Sequence, residues 1–291
     1  MEVAELDLLA EHGRELRVPG ERAASVRRVE ARVGECVLSA LQWGSGPPEL
    51  VLLHGGGQNA HTWDGVLLRS RRPALALDLP GHGRSSWPGR YLPREHAPLV
   101  AAAIERLAPE AHVVVGMSLG GLTAMCVAAW YPELVRRLVI VDVSPGSGPG
   151  RAQAATDLSG IAEFPSFAAL LARTREFRPE VPEESLRRSL LYNARELADG
   201  RWTWRHDSHP DRLSALYADL PSYWDVAGAI GCPTTLVVGG RSRIVAPSDV
   251  ERYRAAIPQL DVVTVADAGH SVQGDRPHAL LDVVEGDAGA Q

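Results

Sequence analysis

The chain has 291 residues, is 45% hydrophobic and carries a formal net charge of −6, so it can bury one large core with an inserted subdomain and offers no basic footprint for nucleic acid. All thirty basic residues are arginine, which excludes chemistry that needs a lysine amine, such as a Schiff base. The three cysteines, Cys36, Cys126 and Cys232, form no CxxC pair and are odd in number, which suits a reducing compartment and inert thiols.

Residues 1–22 begin acidic, MEVAELDLL, without a basic or apolar leader pattern. They read as a polar helix and linker, expected to be a solvated N-terminal extension. No apolar run approaches the roughly 18 residues of a membrane span, and the expectation is a soluble, cytoplasmic protein. Val26 to Val33 and Cys36 to Trp43 alternate apolar and polar about Gly34-Glu35, a hairpin signal. Leu50 to Leu53 is a continuous apolar strand that runs into His54-Gly55-Gly56-Gly57. Glycines there leave backbone N–H groups open to a ligand, and Gly56 is the candidate oxyanion donor. Ala74 to Leu79 is a second buried strand. The Pro80-Gly81-His82-Gly83 turn behind it reads as structural, with Asp78 accepting N–H bonds.

Pro93 to Leu107 has helical periodicity and leads to the stretch on which the chain is organised, His112 to Trp130. It reads as a buried strand, the turn Gly116-Met117-Ser118-Leu119-Gly120, and a small-residue helix, the context that a GxSxG nucleophile elbow requires. Ser118 is the candidate nucleophile. Arg137 to Val143 continues the alternation and places Asp142 at the carboxyl end of a buried strand, where open α/β sheets bind ligands.

Residues 144–225 break that pattern. A Pro/Gly-rich linker, SPGSGPG, precedes helical stretches without strand-like runs, carrying Tyr192, Trp202, Trp204, Tyr217, Tyr223 and Trp224. We expect a helical cap over the site, its aromatics lining an apolar pocket or forming its own core. The His206-Asp207-Ser208-His209 cluster reads as a polar loop, and no metal or other cofactor is expected.

Strand and helix alternation resumes with Thr234 to Val238, Val250 to Ile257 and Asp261 to Val265. His270 follows that last strand, after Gly269, and is the candidate base in the chain order serine, acid, histidine. His278 reads as a surface residue, and His54 and His82 are the next candidates for the base. The whole predicts an α/β fold with a mostly parallel eight-stranded sheet, helices on both faces, and the cap inserted. The core is expected over 23–143 and 226–291.

Through LVLLHGGG, ALDLPGHGRS, VVGMSLGG, LVIVDVSPG, TLVVGGRS and ADAGHSVQGDRP the chain resembles the α/β-hydrolase superfamily, serine-hydrolase type with a helical cap, from about Val26 onward. The resemblance implies a catalytic Ser118, His270 as base, and an oxyanion hole from the N–H groups of Gly56 and Leu119. Many relatives carry the acid in the turn that here reads Gly239-Gly240-Arg241-Ser242, and serine cannot hold a charge. Others place it one strand earlier, at the position of Asp142, which is the choice over Asp78, Asp249 and Asp267. The expected activity is hydrolysis of an ester or related acyl bond of a small, largely apolar molecule, with no nucleic-acid partner and no oligomeric state assigned. A non-hydrolytic lyase or cyclase on the same scaffold, or a binding protein with a degenerate site, are the alternatives.

Overall fold

The structure is a computed structural model and describes residues 5–18, 20–148, 151, 162–179, 181–208 and 211–286. Helices α1 (Glu5–Glu15) and α2 (Gly20–Ala24) precede the hairpin of β1 (Val26–Val33) and β2 (Cys36–Trp43). Then come β3 (Leu50–Leu53), α3 (Asp64–Leu67), β4 (Ala74–Leu77), α4 (Pro93–Leu107), β5 (Val113–Met117), α5 (Leu119–Trp130) and β6 (Arg137–Val141). A second layer holds β7 (Glu163–Phe164), α6 (Phe167–Phe177), α7 (Glu183–Asn193), β8 (Ala194–Glu196), β9 (Trp202–Trp204), α8 (Asp211–Asp219) and α9 (Tyr223–Gly228). The chain returns through β10 (Thr234–Gly239), α10 (Pro247–Ala256), β11 (Leu260–Val265), α11 (Val272–Asp275) and α12 (Pro277–Glu285).

Eight strands form one sheet in the order β1-β2-β4-β3-β5-β6-β10-β11. Pairing is antiparallel from β1 to β2 and from β2 to β4, and parallel from β4 onward. The sequence explains the contrast. The central strands LVLL and ALAL are apolar throughout because helices cover both of their faces, whereas β1 alternates because one face is wet. Successive side chains of β3 divide accordingly: Val51 and Leu53 join the core under α4, α5, α9 and α10, while Leu50 and Leu52 join the core under α1, α3, α11 and α12.

Two regions differ from expectation. The N-terminal segment is not a solvated extension, because Leu9 of α1 is fully buried in the second core and Leu8 nearly so. Polar residues dominate that helix, so its buried stripe is short, and ion pairs do the rest of the anchoring: Glu5 reaches Arg28 at 2.6 Å and His61 at 2.9 Å, and Glu15 reaches Arg188 of α7 at 2.7 Å. The cap, for its part, adds to its helices a three-stranded sheet in the order β7-β9-β8. Its strands have only two or three residues, too short to show a period of two. Within the cap Phe164 packs edge-on to Trp204 and Phe167 to Trp202, so these aromatics form a core of their own.

Candidate active site

Ser118 sits between β5 and α5 with φ 52° and ψ −117°, a left-handed region that non-glycine residues enter only under constraint. The flanking glycines supply the constraint. A Cβ on Gly116 would lie 2.2 Å from the Gly120 carbonyl oxygen, and one on Gly120 would lie 2.2 Å from the Leu53 carbonyl oxygen. Only a turn bare of side chains on both flanks can press α5 this closely on β3 and β5. Ser118 N–H donates to Val141 O at 3.1 Å, and Leu122 N–H donates to Ser118 O at 3.1 Å, which fixes the backbone and leaves the hydroxyl at the carboxyl edge of the sheet.

The glycine loop after β3 lies against this turn: a Cβ on Gly55 would stand 3.4 Å from the Ser118 Cβ, and one on Gly56 would stand 4.0 Å from Leu119 Cδ2. Two of its three N–H groups are occupied. Gly55 N–H donates to Gln58 Oε1 at 3.1 Å and Gly57 N–H to His82 Nε2 at 3.2 Å. Among the described residues the exposed Gly56 N–H has no partner, and Leu119, the first residue of α5, has a helix-end N–H with no acceptor one turn back. Both unpaired donors therefore belong to the segments that meet at the Ser118 turn.

Asp142 follows β6 with φ 46° and is fully buried. Its Oδ1 accepts the Gly239 N–H at 2.9 Å, and its Oδ2 accepts from His270 Nδ1 at 2.8 Å and from the Ser242 hydroxyl at 2.5 Å. The His270 ring is about a quarter exposed. The structure thus joins Asp142 to His270. It does not close a hydrogen bond between His270 and the Ser118 hydroxyl among the described residues, a contact that commonly tightens only with substrate bound.

The competing candidates are engaged elsewhere. Asp78 accepts Ala60 N–H at 2.7 Å, Arg84 N–H at 3.0 Å and Arg28 at 2.8 Å. Asp249 caps the start of α10 and pairs with Arg151 at 2.6 Å, and Asp267 is exposed beside Arg276. His54 holds Gly55 O with Nδ1 at 2.7 Å and accepts Leu79 N–H on Nε2 at 2.9 Å. Burial pushes its imidazole below the ordinary histidine range, although the charge of Asp78 pulls the other way. His82 is fixed in the same manner by Pro80 O and the Gly57 N–H. His278 is exposed.

Of the cap's polar cluster, His209 lies outside the described residues. His206 stacks between Trp204 and His82, and its ring lies 3.5 Å from where a Gly57 Cβ would stand, while Asp207 N–H donates to Gly81 O at 3.0 Å. The cluster therefore docks on the loops that follow β3 and β4. Among the described residues no group of three or more His, Cys, Asp or Glu could hold a metal ion. The three cysteines are free, and burial pushes the Cys126 thiol up to about 12. No described helix is long and apolar enough to cross a membrane. Sequence reasoning missed one participant, the Ser242 hydroxyl, having read that residue only as a missing acid.

Comparison with known proteins agrees with this architecture. The model of the alpha/beta hydrolase family matches residues 50–283. The chain is 42% identical over 292 residues to the esterase Rv0045c of Mycobacterium tuberculosis, covering 97% of this chain and 95% of that one. It is 31% identical over 251 residues to the sn-1-specific diacylglycerol lipase ABHD11 of Mus musculus, covering 81% and 80%. Among solved structures, the crystal structure of esterase Rv0045c superposes with a TM-score of 0.84 at 41% identity, covering 98% of each chain.

Proposed function

The chain belongs to the alpha/beta hydrolase family, and from that premise we propose that it is a serine esterase that cleaves a small, largely apolar acyl ester through an acyl-enzyme. The observation that carries this reading is the Asp142–His270 contact of 2.8 Å, made after the carboxyl ends of β6 and β11 on the same edge of the sheet as the Ser118 elbow. In this mechanism His270 Nε2 takes the Ser118 proton while Asp142 holds the Nδ1–H and stabilises the imidazolium. The Ser118 alkoxide attacks the ester carbonyl, and the N–H groups of Gly56 and Leu119 receive the developing oxyanion. His270 returns its proton to the leaving alcohol, and water, activated by the same imidazole, clears the acyl group. The relatives named an esterase and a diacylglycerol lipase support ester chemistry at the level of bond type. Leu119 beside the serine and Ile244 in the Ser242 turn are buried apolar residues, and they favour an apolar acyl chain.

Purified protein tests the proposal with short-chain nitrophenyl esters and a fluorophosphonate probe. Ser118→Ala is expected to lower kcat on the order of 10⁶-fold, to abolish labelling, and to leave the melting transition in place. Turnover by the variant within about tenfold of the parent would remove Ser118 from the chemistry. Labelling without ester turnover would point to non-hydrolytic chemistry at the same serine, and neither labelling nor turnover to a binding protein.

A further inference from the structure

The turn after β10 carries Ser242, and its contacts give the side chain a definite job. Ser242 N–H donates to Gly239 O at 2.9 Å, closing the turn, and Ile244 N–H donates to the Ser242 hydroxyl oxygen at 3.2 Å. An oxygen that already receives an N–H directs its own proton elsewhere, and the group it faces, Asp142 Oδ2, is acceptor-only as a carboxylate. The O–O separation of 2.5 Å falls in the range of hydroxyl-to-carboxylate bonds, which are stronger than neutral ones. That same oxygen receives the His270 Nδ1–H, while Oδ1 is held by Gly239 N–H. The turn also abuts the histidine loop directly, because a Cβ on Gly239 would lie 2.2 Å from the Gly269 carbonyl oxygen, and Arg241 N–H donates to Ala268 O at 2.9 Å.

We propose that Ser242 is a positioning residue for catalysis, whose hydroxyl pins Asp142 Oδ2 against His270 and draws off part of the carboxylate's charge. This rests on the assignment of Ser118, His270 and Asp142 as the catalytic set. The hydroxyl acts where a carboxylate could not, since an acid at this place would set two negative charges on one oxygen's hydrogen bonds and force a proton between them. By withdrawing charge from Asp142, Ser242 limits how strongly the imidazolium is held, so that His270 gives its proton back to the leaving group. The other charged groups around the histidine loop are satisfied separately: Asp275 accepts the Gly269 N–H at 2.7 Å, Asp267 faces Arg276, and Arg241 donates to the Asp267 carbonyl.

The test compares Ser242→Ala, Ser242→Thr and Ser242→Val. Alanine and valine are expected to lower kcat about tenfold with KM within about twofold, and to move the acid limb of the pH–rate profile upward by about half a pH unit. Threonine, which keeps the hydroxyl, is expected to restore both. Because valine matches threonine in shape, the pair remains decisive if alanine fails to fold. Nuclear magnetic resonance of the His270 ring in a Ser118→Ala background reads the same coupling without turnover, and its titration is expected to shift upward in the valine variant. A shifted ring titration in a protein that hydrolyses no ester would retain the role of Ser242 while removing the esterase reading. Equal kcat, pH limb and ring titration across the three variants would overturn the proposal, as would a loss in valine that threonine shares.

Discussion

Asp78 and Asp142 each follow the last residue of a buried parallel strand, β4 and β6, and each is fully buried with both oxygens engaged by donors. Their partners differ in kind. Asp78 meets a permanent cation, Arg28, whose guanidinium also pairs with Glu5, and backbone N–H groups of Ala60 and Arg84 complete its shell. The cation there keeps its charge across the ordinary pH range. Among the described residues Asp142 meets no arginine: its donors there are one backbone N–H, one hydroxyl and a single imidazole. Strand-end position and burial are therefore shared by both aspartates, and the compensating group separates them. A fixed cation makes an anchor, while a titratable ring leaves a field available to a charge that appears only during reaction.

The comparison is sharpest in paired substitutions. Asp142→Asn is expected to lower kcat on the order of 10⁴-fold, because the amide favours the wrong tautomer of His270, with the melting temperature near that of the parent. Asp78→Asn should do the opposite. It leaves Arg28 with Glu5 as its remaining carboxylate in a largely buried site and is expected to destabilise the fold by about 2 kcal/mol, with kcat per folded molecule unchanged. Chemical denaturation and active-site titration of both proteins measure the two effects. If Asp78→Asn lost activity beyond its folded fraction, or Asp142→Asn lost mainly stability, the division between anchor and catalytic acid would fall.

Much of this contrast was legible in the sequence and part of it was not. GMSLG, HGGG, IVDVS and DAGHS each sit at the end of an apolar run, so strand periodicity alone placed Ser118, Gly56, Asp142 and His270 on one edge of the sheet. Ser242 was visible only as a departure, since its hydrogen bond joins residues 100 positions apart in turns that follow different strands. The burial of α1 was hidden because its stripe is little more than Leu8 and Leu9, while its anchoring residues, Glu5 and Glu15, read as solvent-facing charges until Arg28, His61 and Arg188 are placed opposite them. A charge does not announce its partner in sequence.

The smallest expected effect separates stability from activity by pH. Burial, reinforced by the positive charges of Arg188, Arg69 and His61, holds His12 of α1 down to about 4. The unfolded chain, with a histidine near 6.5, takes up its proton first as the solution acidifies. Stability from His12 is therefore complete above about pH 6.5 and is lost as pH falls toward 4. His61 behaves in the reverse sense. Although burial disfavours its charged form, Asp64 and Glu5 raise its pKa, so its contribution is full below the unfolded value and is lost only as pH rises through the folded one. Glu5, opposed by burial but held strongly down by hydrogen bonds from His61 and Arg28, loses its contribution only below the ordinary carboxylate range. His12→Gln should thus flatten the melting-temperature decline between about pH 6.5 and 4, by about 2 kcal/mol, or roughly 4 °C, for a ring that is partly solvated. Under the proposed mechanism the acid limb of ester hydrolysis should stay where it is, because it depends on His270 and not on His12. A variant that moved both curves together would mean that the N-terminal helix and the catalytic histidine share one titrating unit, and the separation between anchor and active site would not hold.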